Sequence, residues 1–238
     1  ALKSEALNLA IMLEIPLVVI DVQRGGPSTG LPTKTEQSDL NMVMYGRNGD
    51  SPVIVLAAKS PSDCFNMAFE ASRLSIEHMT PVVLLTDGYI ANGSTPWKIP
   101  DVDKEFPKIK PRMATDKDLE GGFLPYQRDE TKLVRSWATP GMEGFMHRLG
   151  GLEKDNESGN VSYDPENHEL MVGIRSEKVA RVANYIPEQV IEGHEDAKNL
   201  VVSWGGTYGS VYEAVKETNK TENKCAHIHI QYVNPMPR

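Results

Sequence analysis

Cysteine is almost missing from this chain: Cys64 and Cys225 are the only two among 238 residues. Two thiols cannot supply the four ligands that an iron–sulfur cluster normally takes, so any such cluster is expected on another chain or segment. Both lie in apolar segments far apart in sequence, as reduced core residues of a cytoplasmic protein do. Long apolar runs are missing too. No stretch reaches 18 apolar residues, which predicts no membrane span, and no signal-peptide pattern is read at the first residues. Positive charge is in deficit, with 25 Lys and Arg against 33 Asp and Glu and a net charge of -8. Such a surface repels phosphate backbones and argues against a nucleic-acid partner. What is present is a globular mixture, 39% hydrophobic, enough for a core in one large domain or in one domain plus part of another. No internal repeat is found.

The first half alternates strand and helix signals. Leu2, Ala6, Leu9, Ala10 and Leu13 form one stripe of a helix over 2–14, ended by Pro16. Three short apolar runs follow: Leu17-Val18-Val19-Ile20, Pro52-Val53-Ile54-Val55-Leu56 and Pro81-Val82-Val83-Leu84-Leu85. Runs apolar at every position suit strands buried on both faces of a parallel sheet. A helix over 36–46 uses Leu40, Val43 and Met44. Another over 61–78 has Ser60 as cap, Pro61 in its first turn and Asp63 at its positive end, with Phe65, Ala68, Phe69, Ser72 and Ile76 as the expected buried stripe. This repetition predicts a layered α/β fold in which the strands near 17–22, 53–58 and 82–87 are parallel neighbours.

Residues 94–165 are rich in proline, glycine and mixed charge. Trp97, Phe106, Phe123, Trp137 and Phe145 punctuate them, so a long irregular connection packed on the domain is expected rather than disorder. A helix over 165–186 starts at Asp164 and Pro165, with Met171, Ile174, Val182 and Ile186 along one side. A second α/β unit starts near 198, with strand 200–204, the turn Gly205-Gly206, helix 208–219 and strand 226–233. One such unit buries too little to stand alone. The first residues enter in mid-pattern, so both ends read as cut.

The segment that points to chemistry is Arg24-Gly25-Gly26-Pro27-Ser28-Thr29-Gly30-Leu31-Pro32-Thr33. It follows a strand directly, and ligands of open α/β sheets bind outside the carboxyl ends of strands. Glycines let backbone approach a ligand and prolines stiffen the loop. Arg24 offers a planar fork of donors, while Ser28, Thr29 and Thr33 offer hydroxyls. That set suits a small carboxylate. It equally describes a surface loop whose arginine pairs with an acid. No Gly-Lys-Ser/Thr follows, so a nucleotide P-loop is a poor fit.

Residues 21–40, DVQRGGPSTGLPTKTEQSDL, resemble the substrate-recognising segment of the alpha subunits of 2-oxoacid:ferredoxin oxidoreductases. LLTDGYIANGSTPW (84–97), HRLGGLEKDNESGNVSYDPENHELM (147–171), RSEKVARVANYIPE (175–188) and LVVSWGGTYGSVYEAV (200–215) are similar to the same family in the same order. The resemblance covers essentially the whole chain and is nearest the 2-oxoglutarate type. It implies that Arg24 and Thr33 hold the substrate carboxylate. It implies a pyrimidine-binding thiamine-type domain over 1–105, a packed connection over 106–196, and the start of a transketolase C-terminal-like domain over 197–238. It implies oxidative decarboxylation of 2-oxoglutarate to succinyl-CoA, with coenzyme A taking the acyl group and ferredoxin the electrons. Thiamine diphosphate would sit between this chain and a beta subunit, which would hold the diphosphate, its magnesium ion and a four-iron four-sulfur cluster.

The family's Tyr-Pro-Ile-Thr-Pro segment is absent, as is the glutamate that contacts the aminopyrimidine ring. No cofactor residue is therefore carried over, and the chain alone is expected to be inactive and to bind none of these groups. A pyruvate- or branched-chain-2-oxoacid-specific paralogue stays open, while the second carboxylate of 2-oxoglutarate would need another cation, from the beta subunit or from Lys34. So does a non-catalytic anion-binding or assembly module. Among weaker signals, His227 and His229 share one strand face but lack a third metal ligand. Gly205-Gly206-Thr207-Tyr208-Gly209 lacks the spacing of a dinucleotide turn. Asp87 sits at a strand's carboxyl end, where a cleft role and a turn role are both open. His147 and His168 have no assigned chemistry, and Glu195-Asp196 reads as a solvated corner.

Overall fold

The computed structural model describes residues 3–222 and 224–238. Helix α1 (Ser4–Leu13) precedes strand β1 (Leu17–Gln23), α2 (Asp39–Tyr45) precedes β2 (Ile54–Ala57), and α3 (Asp63–His78) precedes β3 (Pro81–Asp87). The three strands lie in the order β1-β3-β2, all parallel, as the apolar runs predict. Short helices α4 (Gly88–Asn92) and α5 (Val102–Glu105) open the irregular region, and α6 (Pro165–Arg181) closes it. The rest of the chain forms β4 (Ile191–Gly193), β5 (Asn199–Trp204), α7 (Tyr208–Thr218), β6 (Cys225–Ile230) and β7 (Tyr232–Asn234). A second sheet has the order β4-β6-β5, with β5 parallel and β4 antiparallel to β6. The run expected as one strand over 226–233 is thus two. Its second piece, β7, leaves the second sheet and pairs antiparallel with β2 of the first.

Every residue of β2 and β3 is buried. The pleat sends alternate residues to opposite faces. Ile54, Leu56, Val82 and Leu84 meet Met67, Ala71 and Leu74 of α3 on one face. Val55, Ala57, Val83 and Leu85 meet Ile11 of α1 and Val43 of α2 on the other. Each fully buried aliphatic side chain contributes about 1.5–3 kcal/mol, and the parallel pairing puts the carboxyl ends of the three strands at one edge.

Two expected helix faces are corrected. Leu2 lies outside the described residues, and α1 buries Ala10 and Ile11 while Ala6 and Leu9 stay exposed. In α3 the sheet-facing stripe is Met67, Ala71, Leu74, Ser75 and His78 rather than the aromatic one. The helix is apolar on two sides. Phe65 and Phe69 belong to the outer side, where they pack against Trp97 and Phe106. Trp97 and Phe106 are therefore anchors, as expected, and α3 supplies their seat, while Phe123 packs against Phe145 and His147 within the connection. The helix expected over 165–186 stops at Arg181 and tightens into a 3-10 turn over Val182–Asn184.

The connection is also held by a charge that the sequence pattern hides. Glu14 takes the left-handed conformation (φ 52°) that ends α1, and its side chain is buried. Arg128 and Lys178 both form ion pairs with its carboxylate. Around it, the last carbonyls of α1 find donors: Lys154 Nζ to Met12 O at 2.8 Å, Tyr126 Oη to Leu13 O at 3.2 Å and Arg135 Nε to Glu14 O at 3.3 Å. These carbonyls lack partners within the helix and form its negative end. Burial alone would raise the pKa of Glu14, but Lys178 and Arg128 outweigh it and hold the carboxyl at about 2. Burial also draws Lys178 below the usual lysine range, against the pull of Glu14.

Removing one partner of a buried pair leaves the others uncompensated, at a cost of about 3–5 kcal/mol. Glu14→Gln should lower unfolding stability at neutral pH by that order, measured by urea denaturation. A carboxyl whose folded pKa is depressed stabilises above its unfolded value and loses that contribution as pH falls through the folded one. The wild type should therefore lose stability from near 4.5 down towards 2, and this part of the acid slope should vanish in Glu14→Gln.

Candidate functional site

The parallel register aligns Gln23 at the end of β1 with Asp87 at the end of β3. Arg24 and its loop therefore leave the sheet at the same edge as Asp87, as expected. The loop is closed by its own backbone. Gly25 N donates to Lys34 O at 2.9 Å, Leu31 N to Gly25 O at 2.8 Å, and Lys34 N to Leu31 O at 2.9 Å. Gly30 has φ +44°, and a Cβ there would lie 2.1 Å from Gly25 O, so this closure requires glycine. Gly26 N donates to Glu36 Oε2 at 3.1 Å.

A cavity of about 490 Å³ opens beside the loop, with Asp21, Arg24, Ser28, Pro32, Asp39 and Asn92 in its wall. Arg24 is exposed, and among the described residues its guanidinium has no hydrogen bond or ion pair. The surface-loop reading, in which this arginine pairs with an acid of the same chain, is not what the geometry shows. Ser28 shares the cavity with Arg24. Thr29, Thr33 and Lys34 are exposed on the same loop and do not line it. Asp21, which the sequence reading passed over, lies in this wall. Burial and the neighbouring Asp39 push its carboxyl above the ordinary aspartate range, and its Oδ2 is buried without a hydrogen-bond partner. The signal was available, as an aspartate inside an otherwise apolar strand.

Asp87 is buried and has a structural task. Its Oδ1 accepts from Ile90 N at 2.9 Å, which caps α4, and its Oδ2 accepts from Gly206 N at 3.1 Å. One carboxylate thus joins the edge of the first sheet to the turn after β5. That turn, Gly205–Thr207, is a single 3-10 turn leading into α7. Gln37, just beyond the far end of this loop, donates from Nε2 to Trp204 O at 3.0 Å.

The remaining candidates are accounted for by local bonding. Ser203 Oγ lies 2.7 Å from His227 Nε2 and 2.8 Å from His229 Nδ1. Burial, with His227 and Lys59 nearby, lowers the pKa of His229 to about 4, so it is neutral at physiological pH. His147 Nδ1 meets Phe145 O at 2.7 Å, and His168 Nδ1 meets Glu153 Oε2 at 2.7 Å. Among the described residues no group of three or more His, Cys, Asp or Glu could hold a metal ion, and no helix is long and apolar enough to cross a membrane.

Residues 1–164 match the family of pyruvate flavodoxin/ferredoxin oxidoreductases, thiamine diphosphate-binding. The chain belongs to this family. It is 52% identical over 238 residues to 2-oxoglutarate oxidoreductase subunit KorA of Mycobacterium tuberculosis, covering all of this chain and 36% of that protein. It is 33% identical over 225 residues to 2-oxoacid:ferredoxin oxidoreductase 1, subunit alpha, of Sulfurisphaera tokodaii, covering 92% of this chain and 35% of that one. The fold superposes with a TM-score of 0.90 and 36% identity on 2-oxoglutarate:ferredoxin oxidoreductase from Magnetococcus marinus, a structure with 2-oxoglutarate, coenzyme A and succinyl-CoA bound. That match covers 99% of this chain and 40% of the other. The chain thus spans about a third of the length of these curated relatives.

Asp87 is the fixed point of this edge. Asp87→Ala removes a helix cap and leaves the Gly206 amide without its acceptor, so it should cost about 1–3 kcal/mol. Asp87→Asn keeps one acceptor oxygen and should cost less. Denaturant titration of both variants ranks them, and equal stability of Asp87→Ala and wild type would contradict the bridging role.

Proposed function

We propose that this chain is part of the alpha subunit of a 2-oxoacid:ferredoxin oxidoreductase. In the whole enzyme it serves oxidative decarboxylation of 2-oxoglutarate to succinyl-CoA, with electrons passed to ferredoxin. The observation that carries this reading is the Arg24 guanidinium, which has no hydrogen bond or ion pair among the described residues, in a cavity at the carboxyl edge of a parallel sheet. A planar fork of donors free of protein partners is ready for a bidentate carboxylate. Arg24 binds the carboxylate next to the keto group and Ser28 adds a donor from the cavity wall; Thr33 lies outside that wall, beside the closing residue Lys34, and its hydroxyl is included as the family resemblance implies. The bound carboxylate loses its charge as carbon dioxide departs, so Arg24 works in binding and alignment rather than in easing bond cleavage.

Thiamine diphosphate, when bound, supplies the electron sink for decarboxylation. Among this chain's described residues no group of three or more His, Cys, Asp or Glu could hold a metal ion. Magnesium and the four-iron four-sulfur cluster are placed on a beta subunit, as the family resemblance implies. The cavity wall contains one cation, Arg24, beside two carboxyls, Asp21 and Asp39. A second substrate carboxylate therefore meets its cation outside this cavity, and Lys34 or the beta subunit is the source. The division into 1–105, 106–196 and 197–238, as thiamine-type domain, packed connection and start of a transketolase C-terminal-like domain, belongs to the same proposal. So does a cytoplasmic location, which rests on two unpaired thiols.

The test is steady-state kinetics of the full-length chain assembled with its beta subunit. A charged hydrogen bond contributes roughly 1.5–3 kcal/mol, or about one to two powers of ten in binding. Arg24→Ala should raise KM for 2-oxoglutarate by that factor, with kcat less affected. Arg24→Lys should recover part of the loss, and Thr33→Val should show a smaller rise. The Kd for thiamine diphosphate, measured by calorimetry, should stay nearly unchanged. An unaltered KM in Arg24→Ala would remove Arg24 from the site.

A further inference from the structure

The carboxylate loop is tied to the second sheet at a single turn. Gln37 Nε2 donates to Trp204 O at 3.0 Å, linking residues 167 positions apart. The next two residues of that turn are shaped for their neighbours. Gly205 has φ +63°, and a Cβ there would lie 2.7 Å from Gln37 Nε2. A Cβ on Gly206 would lie 2.2 Å from Asp87 Oδ2. The turn therefore receives the end of the loop through Gln37 and the end of β3 through Asp87, in adjacent residues.

We propose that Gln37 is a positioning residue for the substrate, and that the Trp204–Gly206 backbone is the strut that sets the place of the carboxylate loop. The inference rests on the reading of Arg24 given above and extends it to a residue that touches no substrate. The loop starts at Arg24, is closed by the Gly25–Lys34 pair, and reaches Gln37 within three more residues. Freedom at Gln37 is thus passed to the closing pair and on to Arg24. The other side-chain tie, Glu36 Oε2 to Gly26 N, is exposed. The Gln37 bond is partly buried, so it is the firmer of the two. Misplacement by about 1 Å is enough to degrade a bidentate carboxylate site. The second sheet thereby acts on substrate affinity without lining the Arg24 cavity.

The experiment uses the full-length chain in its complex, with 2-oxoglutarate as the probe. Gln37→Met keeps the length and removes the donor. One neutral hydrogen bond corresponds to about a threefold to tenfold change, so KM should rise by that factor with kcat within about twofold. The Kd for thiamine diphosphate and the Tm should stay at wild-type values. Gln37→Lys restores a donor of similar reach and should recover much of the loss. Gly205→Ala should raise KM by pushing the Gln37 amide aside. In a Gln37→Ala background the two KM effects should partly overlap, because the clash has no target left and only the backbone strain at Gly205 remains. A normal KM in Gln37→Met overturns the proposal, as does a joint fall of Tm and cofactor affinity, or strict multiplication in the double variant. Arg24→Ala measured alongside separates the two readings. A raised KM there with a normal KM in Gln37→Met removes Gln37 alone, whereas a normal KM in Arg24→Ala removes both.

Discussion

The carboxylate of Asp87 is the constraint on which the site edge depends. It stands where β3 ends, takes one amide from α4 and another from Gly206, and is buried while doing so. A buried carboxylate is tolerated when donors satisfy it. Here those donors come from two elements that the chain reaches more than a hundred residues apart. The consequence is geometric. The edge of the parallel sheet and the turn after β5 share one fixed point, and the carboxylate loop, which leaves from the strand beside β3, is tied to the same turn by Gln37. The proposed site for a small carboxylate depends on such fixity, since selectivity comes from donors whose directions do not wander.

Glu14 does similar work away from this edge. It gathers Arg128 from the irregular connection and Lys178 from α6 against the end of α1. The connection has few regular hydrogen bonds of its own, so its order comes from such anchors and from the aromatic seat that Phe65 and Phe69 provide for Trp97 and Phe106. The buried ionic hub is costly to assemble and more costly to break. It makes the connection part of the folded body.

Legibility in the sequence followed the physical range of each signal. The three parallel strands could be read because runs such as Val82-Val83-Leu84-Leu85 are apolar at every position, which little besides a doubly covered strand requires. The carboxylate loop could be read from its glycines, prolines and leading arginine, and the family resemblance then singled out Arg24 and Thr33. The true face of α3 could not be read, since Phe65 and Phe69 offer as good a stripe as Met67, Ala71 and Leu74. The break between β6 and β7 was hidden because Gln231 continues the alternation in which His227 and His229 separate Ala226, Ile228 and Ile230. Glu14 is simply the last residue of the helix expected over 2–14, and nothing in the local pattern marks it as buried. The Gln37–Trp204 and Asp87–Gly206 contacts leave no periodic trace, because each is one polar pair joined only by the fold.

The central claim is that the unpartnered Arg24 guanidinium receives the carboxylate of a 2-oxoacid. A structure of the full-length chain with its beta subunit and 2-oxoglutarate addresses it most directly. The account predicts the carboxylate next to the keto group within hydrogen-bond distance of Arg24, with the loop still tied to Trp204 through Gln37. A substrate bound with both carboxylates on other residues, and Arg24 turned to solvent, would contradict it.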